Sequence, residues 1–179
     1  MKTLFTMKTT NLIFLFFISL FSYGQTKQET VAWLNSKLSQ NRPVEFDQHN
    51  NLFETQITKI NTDGSFIVKS SKLKSQTEFE RLIVGKGFLK DADMRGVTIE
   101  LSTGGKYLYL ILTCSNAECF RQMNISRKIN NENGPVENSY DKSSICIGVF
   151  SSSEKDLAER CKKAVIHLIS LFGGSKEPF

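Results

Sequence analysis

Four cysteines, two histidines and a scatter of carboxylates are the residues of this 179-residue chain whose chemistry could go beyond packing. Cys114 and Cys119 enclose Ser115, Asn116, Ala117 and Glu118, a turn between two strand-like runs, and a hairpin of that length holds its flanking residues opposite one another. We therefore expect a Cys114–Cys119 disulfide. Cys146 and Cys161 are matched by length: about 13 Å of strand runs from Phe150 back to Cys146, and about 12 Å of helix from Ser153 on to Cys161. A helix folding back over that strand brings them together, as a second disulfide or as two buried thiols packed like small hydrophobes. A four-cysteine zinc site wants two close-spaced pairs, and the chain has one.

His49 lies in a loop-like stretch and His167 in a helix-like one. Neither has a second histidine at helical metal-binding spacing, and no Gly-x-Ser-x-Gly elbow accompanies them. No catalytic, metal-binding or cofactor-binding residue is singled out, and no cofactor is expected. Glu78, Glu80, Glu100, Asp91 and Asp93 could serve a hydrolase assembled from dispersed carboxylates. Three of them, Glu78, Glu80 and Glu100, alternate along strands on what should be a solvated face. Gly85-Lys86-Gly87 and Gly104-Gly105-Lys106 complete no phosphate-loop pattern, and the second reads as a hairpin turn. Arg121, Arg127 and Lys128, with Phe120 and Tyr107 or Tyr109, could form a basic aromatic surface for polyanions.

These residues must be positioned by a short chain. Residues 1–24 contain two lysines, no acid, and an apolar run at 12–21 broken only by Ser19, the pattern of an export signal cleaved between Gly24 and Gln25. The run is too short for a membrane span, which needs about 20 apolar residues. Met7 repeats the Met-Lys-Thr of Met1, so either could start the leader. Without it, residues 25–179 carry 21 basic and 18 acidic side chains, a formal charge of about +3. Such a charge and export to a compartment poor in DNA argue against nucleic acid. The leader resembles those of Gram-negative bacteria, which implies a secreted or periplasmic protein in which disulfides form.

Val31, Leu34 and Leu38 have helical spacing over 26–39, with Trp33 beside the stripe as a second core contact. From residue 52 the period changes to two. Strands are expected at 53–60 and 65–70 about an Asp63-Gly64 turn, at 78–84, 97–101, 106–114, 119–126 and 144–150. The fifth, with Leu108, Leu110 and Leu112 on one face and Tyr107, Tyr109 and Ile111 on the other, should be central. Residues 85–96 read as a connection and 128–141 as a long mobile loop. A capping box at Ser151 and Glu154 opens a last helix whose stripe is Leu157, Cys161, Ala164, Val165, Leu168, Leu171 and Phe172, stopped by Gly173-Gly174. No repeat or linker interrupts 25–179, which is read as a single domain.

Seven antiparallel strands followed by a capping helix resemble the pleckstrin-homology-like barrel, with an extra helix in front. The resemblance implies an α+β fold with a barrel or strongly curved sheet. It also raises phosphoinositide binding, against which the first turn, Asn61 to Gly64, offers Asp63 and no base; Lys59 and Lys69 flank it, but Ser71 stands where another base belongs. The segments TKQETVAWLNSKL (26–38) and ERCKKAVIHLISLFGG (159–174) resemble those of small exported bacterial proteins of unknown function, which implies no activity. The expected function is a non-enzymatic module that binds a protein or cell-envelope ligand through the barrel surface or the 128–141 loop. A hydrolase is the alternative, and a homo-oligomer joined through a strand edge or Trp33 is a third reading.

Overall fold

The computed structural model describes residues 26–39, 42–45, 53–73, 79–115, 118–126 and 136–174, excepting the side chains at 42–45, 53–55, 72–73, 79–81, 126 and 136. The expected leader, its cleavage point and both candidate starts lie outside them. Helix α1 (Lys27–Leu38) opens on a Thr-x-x-Glu capping box: Thr26 N donates to Glu29 Oε2 (2.8 Å) and Glu29 N to Thr26 Oγ1 (3.2 Å). Then come β1 (Arg42–Glu45), β2 (Phe53–Ile60), β3 (Ser65–Leu73) and β4 (Phe79–Phe88), followed by two 3-10 turns, Leu89–Asp91 and Met94–Gly96. The remaining strands are β5 (Thr98–Leu101), β6 (Tyr107–Thr113), β7 (Phe120–Ser126), β8 (Val136–Lys142) and β9 (Ser144–Ser151). Helix α2 (Lys155–Leu171) ends the described chain, entered through a 3-10 turn that carries the expected Ser151–Glu154 box.

The fold is α+β with every strand pair antiparallel, but the strands do not close into a barrel. Those described form a six-stranded sheet, β1-β2-β3-β4-β7-β8, and a three-stranded one, β5-β6-β9. The 3-10 turns after β4 carry the chain out of the meander into the small sheet. It returns at Cys114–Cys119 and leaves again at Ser143. There Cys114 N donates to the Ser143 carbonyl at 2.7 Å, so both crossings share one corner.

Strand β6 is central in its sheet, as its pattern predicts, with Leu108, Leu110 and Leu112 buried and the opposite face half-covered. One core joins both sheets and both helices, through Leu34 of α1, Phe66 of β3, Phe120 of β7 and Val165 of α2. Asn35 ties α1 to the large sheet by imitating a strand, donating to the Ile60 carbonyl (2.7 Å) while Ile60 N donates to its Oδ1 (2.8 Å). Trp33 is half-buried against the core, with the Arg160 guanidinium 5.3 Å from its ring centroid.

Three sequence expectations are corrected. Gly85 and Gly87 belong to β4 rather than to a connection. A Cβ on Gly87 would lie 2.6 Å from the Phe120 ring and 2.9 Å from Phe66, so glycine lets two aromatic side chains lie against the strand. Residues 136–141, expected within a mobile loop, belong to β8. Its Glu137 to Asp141 side chains are all exposed, so β7 pairing without burial holds it, and a sheet edge of that kind is protected by charge rather than marked by alternation. On α2 the buried residues include Ala158 and Ile169, while Leu171 is 45 % exposed, because the helix rests on sheet and α1 together rather than along one stripe.

Candidate functional site

Cys114 and Cys119 form the expected disulfide, their Cα atoms 5.8 Å apart. Since Cys114 follows β6 and Cys119 precedes β7, the bond spans the passage from small sheet to large. Cys146 and Cys161 are not bridged to each other. Cys161 is fully buried on α2, and the Cys146 thiol donates to the Gly148 carbonyl at 3.3 Å, two residues along its own strand. Burial pushes the Cys146 thiol up to about 11, which suits packing and not nucleophilic chemistry.

Among the described residues the other candidates do not assemble a catalytic group. His49, Glu78, Arg127 and Lys128 lie outside the described residues, as does the side chain of Glu80. His167 is exposed on α2. Asp93 is engaged within its turn, accepting from Arg95 N at 3.0 Å and pairing with Arg95 Nε at 3.7 Å. Exposed Glu100 accepts from Thr98 Oγ1 at 3.4 Å. Among the described residues no three His, Cys, Asp or Glu side chains gather as a metal set. Among the described residues, the pKa of Glu29 is lowered by the backbone and side chain of Thr26, and that of Asp63 by the hydroxyl and N–H of Ser65. A general acid needs the opposite shift. Asp63 instead shapes its turn, where Gly64 adopts φ 85° against the Phe172 ring.

Among the described residues, Arg121 does not share a surface with Phe120, Tyr107 or Tyr109 as expected. Alternation along β7 sends Phe120 into the core and Arg121 out of the large sheet, while Tyr107 and Tyr109 belong to the other sheet. Pairing brings Arg121 different company. The register aligns Lys59 (β2), Ile67 (β3), Lys86 (β4), Arg121 (β7) and Asp141 (β8) in one row across the outward face. Lys69, one step further along β3, joins them diagonally. All four bases are exposed. At about 4.8 Å per strand the row from Lys59 to Arg121 spans about 14 Å.

Beneath these bases lie half-buried Ile67 and Met123, with Val84 only 8 % exposed although it faces away from the core. Val84 has Lys69 and Met123 as its cross-strand neighbours, and long side chains standing beside an aliphatic residue can cover it on an open sheet. The Arg121 guanidinium donates to Ser139 Oγ at 3.2 Å. Lys86 and Arg121 are direct cross-strand partners, an arrangement of like charges that weakens a sheet. Lys59 and Lys69 were legible as bases flanking the first hairpin. Their alliance with Lys86 and Arg121 was not, because β5 and β6 intervene in the chain between β4 and β7.

No family model, curated protein or solved structure matches this chain. Function is therefore read from the surface and its chemistry, since a fold alone specifies none.

Proposed function

We propose that this is an exported, non-enzymatic binding module that meets a protein or cell-envelope ligand through the outward face of its large sheet. The observation that carries the reading is Lys86 held directly opposite Arg121 on an exposed surface. Arg121 has Asp141 opposite it on β8, whereas the cross-strand neighbours of Lys86 are Ile67 and Arg121, so Lys86 marks a place where an external anionic group can supply the missing acid. Export, to the periplasm or beyond, is supported by the leader-like residues 1–24 and by the Cys114–Cys119 disulfide, a bond that persists in oxidising compartments. The absence, among the described residues, of a helix long and apolar enough to cross a membrane agrees with a module that acts outside the bilayer core. Membership of the small exported bacterial proteins with the two helix signatures, and a distant pleckstrin-homology-like ancestry without barrel closure, belong to the same proposal.

The test compares the wild-type protein, a Lys86→Glu/Arg121→Glu variant, and a Lys155→Glu/Lys163→Glu variant of equal net charge altered on exposed positions of α2. Each is immobilised and challenged with cell-envelope extract. Loss of bound envelope material from the sheet variant alone is the expected result. Equal retention by all three removes the face from the proposal.

A further inference from the structure

The face is an array of charges, and its shape restricts what it can hold. Lys59, Lys86 and Arg121 follow one line across the strands, with Lys69 beside it, while exposed Glu137 and Asp141 occupy the β8 edge. An anionic bilayer pressed on this face would meet the acidic edge together with the bases, because a plane covers the whole sheet. A chain-like anion can follow the bases from β2 to β7 and stop short of β8. Among the bases Ile67, Val84 and Met123 are half-buried or buried, and exposed Ile57 and Phe88 stand two strands apart at opposite ends of the array, so no continuous apolar patch is offered to a hydrocarbon layer. Single-stranded nucleic acid stacks on a succession of rings, whereas exposed Phe88, with Lys90 Nζ 5.3 Å from its centroid, stands alone beside Lys86 among the described residues of this face, and Phe120 points into the core.

We infer that the outward face binds a linear acidic polysaccharide, its carboxylate, sulfate or phosphate groups lying along Lys59, Lys69, Lys86 and Arg121. The inference rests on the binding-face reading above and names its ligand class. An anionic group beside Lys86 gives that base the attraction Asp141 gives Arg121 from β8 and offsets the Lys86–Arg121 repulsion, so the ligand stabilises the fold as it binds. The same logic makes the free protein less stable than it would be with a neutral residue in the row, the usual cost of a poised charged site.

Heparin and polygalacturonate serve as sulfated and carboxylated probes, with phosphatidylglycerol vesicles as the membrane comparison. Wild-type protein should bind both polysaccharides, and binding should weaken about tenfold or more from about 50 to about 300 mM NaCl, where the screening length falls below the span of the row. Lys86→Glu/Arg121→Glu should bind about tenfold or more weakly, whereas Lys155→Glu/Lys163→Glu changes affinity less than about twofold. Lys86→Gln should raise the unfolding midpoint of the free protein while reducing the stabilisation by heparin, a pair of readouts that a folding defect cannot mimic.

Equal loss in both charge-reversed variants overturns the inference, as does wild-type protein that binds neither polysaccharide. Vesicle binding without polysaccharide binding overturns it in favour of a lipid surface. If the polysaccharides fail while retention of envelope material still needs Lys86 and Arg121, the ligand class is wrong and the binding face stands. Should envelope retention also ignore those residues, both fall.

Discussion

Replacing Cys114 and Cys119 by serine isolates the contribution of one six-residue loop. Cross-linking a loop of that size removes unfolded-chain entropy worth about 2 kcal/mol in the chain-entropy model. The folded corner has other ties that survive the change. Cys114 N donates to Ser143 O (2.7 Å), Ser115 N to Asp91 O (3.0 Å), and Asp93 N to Thr113 O (2.9 Å). The double variant should therefore fold, and lose about 2 kcal/mol, mainly through its less restricted unfolded state. For a domain of this size that lowers the melting temperature by about 4–9 °C. Urea unfolding and calorimetry, each with and without dithiothreitol, measure the effect. Wild-type protein should fall to the midpoint of the double variant on reduction, and the double variant should ignore reductant. No change in midpoint would refute the loop-entropy argument. A loss above about 4 kcal/mol would refute it from the other side, by showing that the bond holds the passage between the sheets against native strain.

Three further outcomes follow from particular contacts. Thr58 is fully buried and its hydroxyl has no hydrogen-bond partner, so Thr58→Val should stabilise the protein by about 1 kcal/mol in urea unfolding, and a comparable loss would show that the hydroxyl is satisfied. Gly64→Ala forces a Cβ into φ 85° and to 2.7 Å from the Phe172 ring, which should cost about 1–3 kcal/mol; an unchanged midpoint would contradict that geometry. Native protein should show no thiol reacting with an aromatic disulfide reagent at about pH 8, and denatured unreduced protein should show two. Because the folded state holds the Cys146 proton more tightly than the unfolded chain, its contribution is complete below the ordinary value of 9.0. It is lost as pH rises through about 11, a decline that a Cys146→Ala variant should lack. Rapid labelling of the half-buried Cys146 would contradict its raised thiol pKa.

Much of the fold was legible because many of its signals are local. The Asp63-Gly64 turn places Lys59 opposite Ile67 through a reversal of a few residues, and the apolar alternation of β6 announces a central strand. The Cys114–Cys119 bond was readable for the same reason, its partners lying five residues apart. Strand β8 was hidden because an edge strand exposed on both faces has no hydrophobic alternation to display. Length matching placed Cys146 and Cys161 at similar distances from the turn that joins β9 to α2, but proximity along two axes does not orient two side chains. The Cys146 thiol instead bonds to Gly148 within β9.

By itself the sequence determined the local elements, the first hairpin, the short disulfide and the presence of a modest excess of bases. Periodicity, turn chemistry and short loop closure act over a few residues, and each is written in consecutive side chains. Only the tertiary structure decided that the strands divide between two sheets, that Phe120 is core, and that Lys86 stands against Arg121. Pairing β4 with β7 skips the intervening β5 and β6, and such a choice is made by the burial available to the whole chain. The candidate binding face follows from that long-range register, with its charges drawn from four strands that no local pattern connects.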